Sequence, residues 1–127
     1  MQVVPLEDGG DALKKLRRHL GGNGVVALVC DRDMSGRGVS VNMFGRERKL
    51  PAGPAYLSLA TGAPLHGVSS VSDKDGWRFR ISGSLSVEPS DDRRADVEAL
   101  TQLLAAEFER TISAWPTDWH MFQPAWP

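Results

Sequence analysis

The chain has almost no cysteine and no long hydrophobic run. One cysteine, Cys30, in 127 residues excludes an internal disulfide framework and favours a reducing cytoplasm. No apolar run approaches the roughly 18 residues that span a bilayer, and the N-terminus has no signal pattern of charge followed by apolar residues. We therefore expect a single domain, residues 1–127, that is soluble or at most lies on a membrane surface.

Common catalytic and nucleotide-binding motifs are also missing. The chain contains no GxxxxGK[ST], GxGxxG, GxSxG or CxxC pattern, which removes the usual signatures of nucleotide binding, serine hydrolysis and thiol redox chemistry. His19 and His66 have no acidic or cysteine companions at ligand spacing, and His120 lies in an aromatic-rich tail as a core residue would, so we predict no metal site. Cys30 follows the apolar run VVALV, and we expect an inert buried residue there rather than a nucleophile.

Charge is balanced in total but uneven along the chain. The 15 basic and 16 acidic residues give a net charge of −1, which predicts no nucleic-acid partner. Between residues 11 and 49, however, nine basic residues face four acidic ones, a local excess of +5. This excess either attracts an anionic surface such as lipid head groups or forms a solvated basic face.

The first part of the chain has the pattern of a β-α-β unit. Residues 2–6 have strand character, residues 12–20 form an amphipathic helix, and residues 24–30 are a valine-rich run typical of a strand buried on both faces. We expect a parallel strand pair with a right-handed crossover. Ligands bind beyond the carboxyl ends of such strands, which is where residues 31–33 lie.

The rest of the chain alternates further strands with helices. The pattern predicts strands over residues 39–44, 64–71 and 77–87, a charged turn over 45–49, and helices over 55–60 and about 93–114. In the last strand, Trp77, Phe79 and Ile81 alternate with polar residues and should form its buried face. The predicted fold class is α/β, with a mixed, partly parallel sheet covered by helices.

Residues 31–63 form the most distinctive stretch, DRDMSGRGVSVNMFGRERKLPAGPAYLSLATGA. Its pattern, DRDxxxxGVxVxxFGxxxxxPAGPAxLxLxTGAPL, resembles the bacterial lipid A biosynthesis acyltransferase family, and specifically its actinobacterial phosphatidylinositol mannoside acyltransferase branch. Residues 118–123, DWHMFQ, resemble the usual ending of that branch. Together the two blocks imply a resemblance to the C-terminal half of the family over nearly the whole chain.

The resemblance implies the C-terminal part of a glycerolipid-acyltransferase-like fold, peripheral to the cytoplasmic face of the plasma membrane. It also implies acyl-CoA as acyl donor and an anionic phosphatidylinositol mannoside-type glycolipid as acceptor, with no cofactor. The family's HxxxxD motif is absent, because the fifth residue after each histidine is not acidic. The histidines are His19, His66 and His120, and those residues are Gly24, Val71 and Ala125. We therefore assign no catalytic residue to this chain.

The candidate substrate-binding residues fall into two groups: Asp31, Arg32 and Asp33, and Arg46, Glu47, Arg48 and Lys49. In the first group, Arg32 either holds a phosphate or phosphoinositol head group while the aspartates fix it, or belongs to a salt-bridged turn. The basic residues of the second group either contact anionic lipid or form a solvated loop. The resemblance implies an acidic residue at the position of Arg46; either Glu47, one place later, is its equivalent or the charge there is reversed.

The tail, residues 115–127, holds three Trp, one Phe and one Met, which is too apolar for a free tail. It either docks on the core or lies at a lipid or partner surface. Three hypotheses result: part of a lipid acyltransferase, an inactive truncated homologue that binds lipid or a partner, and a small α/β domain that associates through this tail.

Overall fold

The computed structural model describes residues 3–4, 9–122 and 124–126. Its elements are α1 (Gly9–Gly21), β1 (Val39–Met43), β2 (Arg46–Leu50), α2 (Gly53–Thr61), β3 (Val68–Asp73), β4 (Gly76–Ile81), α3 (Arg93–Ala114) and a short 3-10 helix, Pro116–Asp118. The strands form two antiparallel hairpins, β1–β2 and β3–β4. The α/β class is confirmed, but the partly parallel sheet is wrong for the described residues, where no strands pair in parallel.

The β1–β2 hairpin corrects the prediction of a charged turn over residues 45–49. Only two residues turn the chain: Phe44 and Gly45, with φ of 55° and 71°. Positive φ at both positions matches the twist of tight hairpins. The charged residues after them form β2 instead, in which Arg48 and Leu50 are buried while their neighbours are exposed. The sequence pattern did not reveal a half-buried strand here, because one of the buried positions is occupied by a charged residue, Arg48.

Helix α3 holds the core together. Its N-terminus is capped by Asp92, whose carboxylate accepts hydrogen bonds from the backbone amides of Arg94 and Ala95. Its apolar stripe, which includes Leu100 and Leu104, is buried, as the three-to-four spacing predicts. One buried cluster joins the helix to the β1–β2 hairpin (Val41, Leu50, Ala105), and a second joins it to α2 (Ala55, Val97, Leu100).

The predicted buried strand over residues 24–30 is wrong. These residues are extended but belong to no strand, and Val25 and Val29 are 88% and 96% exposed. A strand requires a neighbour for its backbone hydrogen bonds, and the described part of the chain places none beside this segment. The predicted partner, residues 2–6, lies mostly outside the described residues. The parallel β-α-β pair is accordingly absent from the part that is described.

The β3–β4 hairpin also differs from expectation. Trp77, Phe79 and Ile81 are 69%, 71% and 70% exposed, so the prediction that they form a buried face is wrong. The hairpin packs on the chain through its other face, where Val71 of β3 is 3% exposed. Arg80, on that same face, lies over the ring of Trp115 with 4.8 Å between its guanidinium carbon and the ring centroid.

The buried stripe of α3 gives a stability prediction. Leu100 is 1% exposed and lies in the cluster between α2 and α3, whereas Leu103, on the same helix, is 40% exposed. We expect Leu100→Ala to lower the free energy of unfolding by about 2–5 kcal/mol, because it leaves a cavity. Leu103→Ala serves as the control and should cost under about 1 kcal/mol. Urea denaturation measures both, and equal losses would contradict the assigned core.

Candidate functional site

The structure brings the two groups of predicted site residues together. Arg48 donates a hydrogen bond from Nη2 to the backbone carbonyl of Asp31, at 2.8 Å. Lys49 donates from Nζ to the backbone carbonyl of Gly36, at 2.9 Å. The loop of residues 31–38 therefore lies along β2, and the two charged groups are neighbours in the structure. We call this region the basic corner.

Asp33 organises the loop from within. Its carboxylate accepts hydrogen bonds from the Ser35 amide at 2.9 Å, the Ser35 hydroxyl at 2.8 Å and the Gly38 amide at 2.7 Å. Burial alone would raise the pKa of Asp33, but these hydrogen bonds outweigh it, and the pKa lies below its ordinary value. Gly38 is required here because a Cβ would collide with the carbonyl oxygen of Leu50. Asp33 thus fixes the loop rather than facing a ligand.

Arg48 is the central side chain of the basic corner. It is 4% exposed, and its guanidinium lies 5.8 Å and 5.3 Å from the ring centroids of Trp119 and Trp126. Its Nη1 contacts the sulfur of Met43 at 3.7 Å, and among the described residues its Nε has no hydrogen-bond partner. Burial lowers the pKa of Arg48, while the charge of Asp31 opposes that shift. The guanidinium nevertheless stays charged in a protein.

Arg48 forms no ion pair with the described residues. Among them, no Asp or Glu oxygen lies within 4.0 Å of its nitrogens. A buried cation without an ion-pair partner is unusual, and its loss of hydration is offset by the carbonyl of Asp31, by the two indole rings and, at longer range, by the charge of the Asp31 carboxylate. The buried guanidinium of the basic corner can therefore be stabilised further by a ligand that supplies negative charge or a hydrogen-bond acceptor.

The C-terminal tail closes one side of the corner. Trp119 donates from Nε1 to Oδ2 of Asp31 at 3.1 Å, a contact between residues 88 positions apart. Trp126 lies edge-on to Trp119 and Phe44, with ring centroids 6.0 Å and 6.1 Å apart. Its Nε1 is buried and has no hydrogen-bond partner in the part of the chain that the structure describes. These two tryptophans therefore dock on the chain itself, whereas Phe122 is 90% exposed.

The remaining predicted residues occupy the rim. Arg46 is exposed and lies over Trp126, with 5.8 Å between its guanidinium carbon and the ring centroid. Glu47 accepts a hydrogen bond from the Ser40 hydroxyl at 3.4 Å. Arg32 is half-buried and makes no hydrogen bond or ion pair to described residues, Asp31 and Asp33 included. The rim thus presents cationic side chains beside the buried Arg48.

An apolar cavity of about 550 Å³ adjoins the basic corner. It lies between residues 25–31, β3 and α3, and its apolar lining includes Leu104, Phe108 and Ile112. Asp31 and Trp119, which belong to the basic corner, also line it. Ligand pockets commonly have this size and combine an apolar lining with a few polar groups. The arrangement suits an amphipathic ligand.

Cys30 lies beside this cavity and is unsuited to nucleophilic chemistry. Burial, with a smaller contribution from the charge of Asp31, raises the pKa of its thiol to about 11. At neutral pH it is protonated, as the sequence reading of an inert residue predicts. Among the described residues, no group of three or more His, Cys, Asp and Glu side chains could hold a metal ion.

Sequence reasoning identified the charged residues of the corner but not its aromatic wall. The tail was recognised as apolar, yet nothing in its pattern indicated which surface it covers. The Asp33 hydrogen bonds had a signal in the spacing Asp-x-Ser-x-x-Gly, which is typical of a loop that closes on an aspartate. None of the helices in the described ranges has the length and apolar character needed to cross a membrane.

Comparison with known proteins identifies the class and then the relatives. The sequence model of the bacterial lipid A biosynthesis acyltransferase family matches residues 1–127, and the chain belongs to this family. It is 39% identical over 126 residues to a phosphatidylinositol mannoside acyltransferase from Mycolicibacterium smegmatis and to another from Mycobacterium tuberculosis. The alignments cover 98% of this chain but 40% and 38% of the two relatives, so the chain spans about two fifths of their length.

The lowered pKa of Asp33 predicts a pH dependence. Its carboxylate stabilises the fold above the unfolded-state pKa of about 3.9, and this stabilisation is lost as the pH falls through the lower folded-state pKa. We expect Asp33→Asn to be less stable than the parent at pH 7, with a gap that narrows below about pH 4. Urea midpoints at several pH values measure the gap. Asp91→Asn, at an exposed turn, should change stability by under about 0.5 kcal/mol at pH 7, and a gap for Asp33→Asn that stays constant down to pH 2 would contradict the assignment.

The raised pKa of Cys30 predicts slow alkylation. At pH 8 its thiolate fraction is far below that of free cysteine, whose pKa is about 8.5. We expect iodoacetamide to modify the folded protein at least about tenfold more slowly than the same protein in 6 M guanidinium chloride. Mass spectrometry follows the reaction. Equal rates in the two conditions would show that the thiol is neither buried nor suppressed.

Proposed function

We propose that this chain forms the part of a fatty acyltransferase that holds the acceptor, an anionic glycolipid of the phosphatidylinositol mannoside type. The acyl group would come from acyl-CoA, at the cytoplasmic face of the plasma membrane. Support comes from membership of the family and from relatives named as phosphatidylinositol mannoside acyltransferases. The single observation that carries the proposal is the buried guanidinium of Arg48, which among the described residues has no ion-pair partner and no acceptor for its Nε.

A phosphate or phosphoinositol head group supplies both negative charge and hydrogen-bond acceptors to the guanidinium of Arg48. A phosphate oxygen accepts hydrogen bonds from a guanidinium in strong, charge-assisted geometry. Arg32 and Arg46 stand at the rim without a carboxylate partner among the described residues, and each can add a further contact. Each basic residue near an anionic lipid surface contributes about 1 kcal/mol of attraction.

The apolar cavity supports a lipid rather than a free phosphate as the ligand. A lipid needs an apolar space that begins where its polar head ends, and the cavity reaches the basic corner at Asp31 and Trp119. With the head group at Arg48, an acyl chain can run between residues 24–30 and α3.

The transfer itself needs a general base that this chain lacks. In the family, the histidine of HxxxxD is expected to take the proton of an acceptor hydroxyl while its oxygen attacks the thioester carbonyl. The new ester forms as the carbon–sulfur bond breaks, and the CoA thiolate takes up a proton. The base is absent from the sequence of this chain, so it would have to come from the part of the family chain that lies outside the matched region.

A second candidate is an inactive homologue that binds lipid or a partner without catalysis. Two observations favour it: the sequence has no HxxxxD motif, and Arg46 stands where the resemblance implies an acidic residue. The two candidates agree on the basic corner and differ in turnover. Acyl transfer by a mixture of this chain with the HxxxxD part of a relative decides between them.

The first test is co-sedimentation with liposomes of phosphatidylcholine that contain or lack phosphatidylinositol. We expect binding only with phosphatidylinositol, and weaker binding at high salt, because the attraction is partly electrostatic. The double variant Arg46→Glu, Lys49→Glu should weaken binding about tenfold or more, since two attractive contacts become repulsive. Lys74→Glu with Arg94→Glu carries the same charge change on exposed residues elsewhere and is the matched control.

Arg48→Gln tests the central residue separately. It keeps a hydrogen-bond donor but removes the charge, so the lipid selectivity should disappear even where some membrane affinity remains. Circular dichroism and urea midpoints establish that each variant is folded. Binding that is equal for both liposome compositions, or equal loss in the control pair, would refute the head-group site.

A further inference from the structure

Two apolar surfaces of this chain are exposed, although their sequence patterns are typical of buried strands. The first, which we call the open segment, is residues 24–30. The second, the open face, is one side of the β3–β4 hairpin. It consists of Val68, Trp77, Phe79 and Ile81, which are between 59% and 71% exposed. Apolar patches of this kind on a soluble protein mark sites of interaction.

The open segment is apolar and only partly covered. It lines the cavity, where Val26 and Cys30 are half-buried, but Val25 and Val29 are 88% and 96% exposed and Leu28 is 40% exposed. Among the described residues, no backbone–backbone hydrogen bond involves residues 25–30. Its unpaired amides and carbonyls are those of an edge strand, which pairs readily with another strand.

The open face is also apolar and exposed, but its residues belong to regular, paired strands. Val68 pairs with Ile81 and Ser72 with Trp77, so their side chains share one side of the hairpin. The hairpin packs inward through Val71, on its opposite side. The side with the large apolar residues is therefore largely exposed, and it touches the described chain near its ends, where the Ser72 hydroxyl donates to the carboxylate of Asp118 at 2.7 Å and Val68 lines the cavity. A tryptophan and a phenylalanine are the residue types that contribute most contact area at interfaces.

We propose that the open segment and the open face dock a polypeptide equivalent to the part of the family chain that this chain does not span. This chain spans 40% of the M. smegmatis relative, so about 60% of that relative lies outside the match. The family model matches residues 1–127. The two exposed surfaces are those whose sequence patterns are typical of buried strands. A strand of the partner pairs with the open segment, and an apolar surface of the partner covers Trp77 and Phe79.

The test supplies that polypeptide. The unmatched part of the M. smegmatis relative is co-expressed with this chain, and the product is examined by size exclusion with light scattering and by amide hydrogen exchange. We expect a one-to-one complex in which the amides of residues 25–30 and 76–81 exchange more slowly than in the chain alone. The inference rests on family membership and not on lipid binding, so Arg46→Glu, Lys49→Glu should leave the complex intact.

Lysine substitutions at exposed positions locate the interface. Val29→Lys and Phe79→Lys remove no buried contact from the chain alone, so its urea midpoint should not change. Each should weaken the complex about tenfold or more, as expected for apolar anchors at an interface. Met34→Lys, at a residue that is 71% exposed and outside both surfaces, is the matched control and should leave the affinity unchanged.

Four outcomes would overturn the proposal. The first is the absence of a complex, and the second is a complex that Val29→Lys and Phe79→Lys leave unchanged. The third is self-association of this chain that the same variants abolish, which would assign the surfaces to a second copy. The fourth is vesicle binding that Phe79→Lys abolishes while the complex persists, which would assign the open face to a membrane.

Discussion

The guanidinium of Arg48 and the groups around it determine how the basic corner is built. Removing the charge from water costs several kcal/mol. A hydrogen bond to a charged group returns about 1.5–3 kcal/mol, and each desolvated contact with an indole ring returns up to about 2 kcal/mol. The carbonyl of Asp31 and the rings of Trp119 and Trp126 therefore roughly balance the cost, while the unpaired Nε leaves a deficit. A ligand that offers Nε a hydrogen-bond acceptor, charged or neutral, removes this deficit.

This balance links segments that are far apart in the sequence. Asp31 receives Arg48 on its backbone carbonyl and Trp119 on its carboxylate, so one residue joins the loop, β2 and the tail. Asp33 then closes the loop on Gly38, where only glycine allows the approach of the Leu50 carbonyl. The basic corner and the lining of the cavity consequently share Asp31 and Trp119. A substitution at Trp119 in the tail therefore alters the surroundings of Arg48.

The sequence predicted the parts of the fold that depend on local spacing. Helix α3 follows from apolar residues three and four apart, and β1 from its alternation. The failures were of another kind. Residues 24–30 have the composition of a buried strand, but a strand also needs a neighbour, and composition does not supply one. Trp77 has the pattern of a buried residue, yet the pattern does not say which face of a hairpin the rest of the chain covers. The charged residues of the basic corner were predicted from their charge. The contacts of Trp119 and Trp126 with this corner were not predicted, because the sequence does not show where the tail packs.

The correction at β2 changes which basic residues can act together. In a turn, Arg46, Arg48 and Lys49 could all point to one ligand. In a strand, alternate residues point to opposite sides, so Arg46 and Arg48 share the side of Trp126, while Lys49 reaches Gly36 on the other. Two guanidinium groups beside one indole ring repel each other, and the ring alone offsets little of that repulsion at the exposed Arg46. An anion between them converts the repulsion into two attractive contacts. The positive charge of Arg46 beside the buried Arg48 thus makes this side of the hairpin cationic.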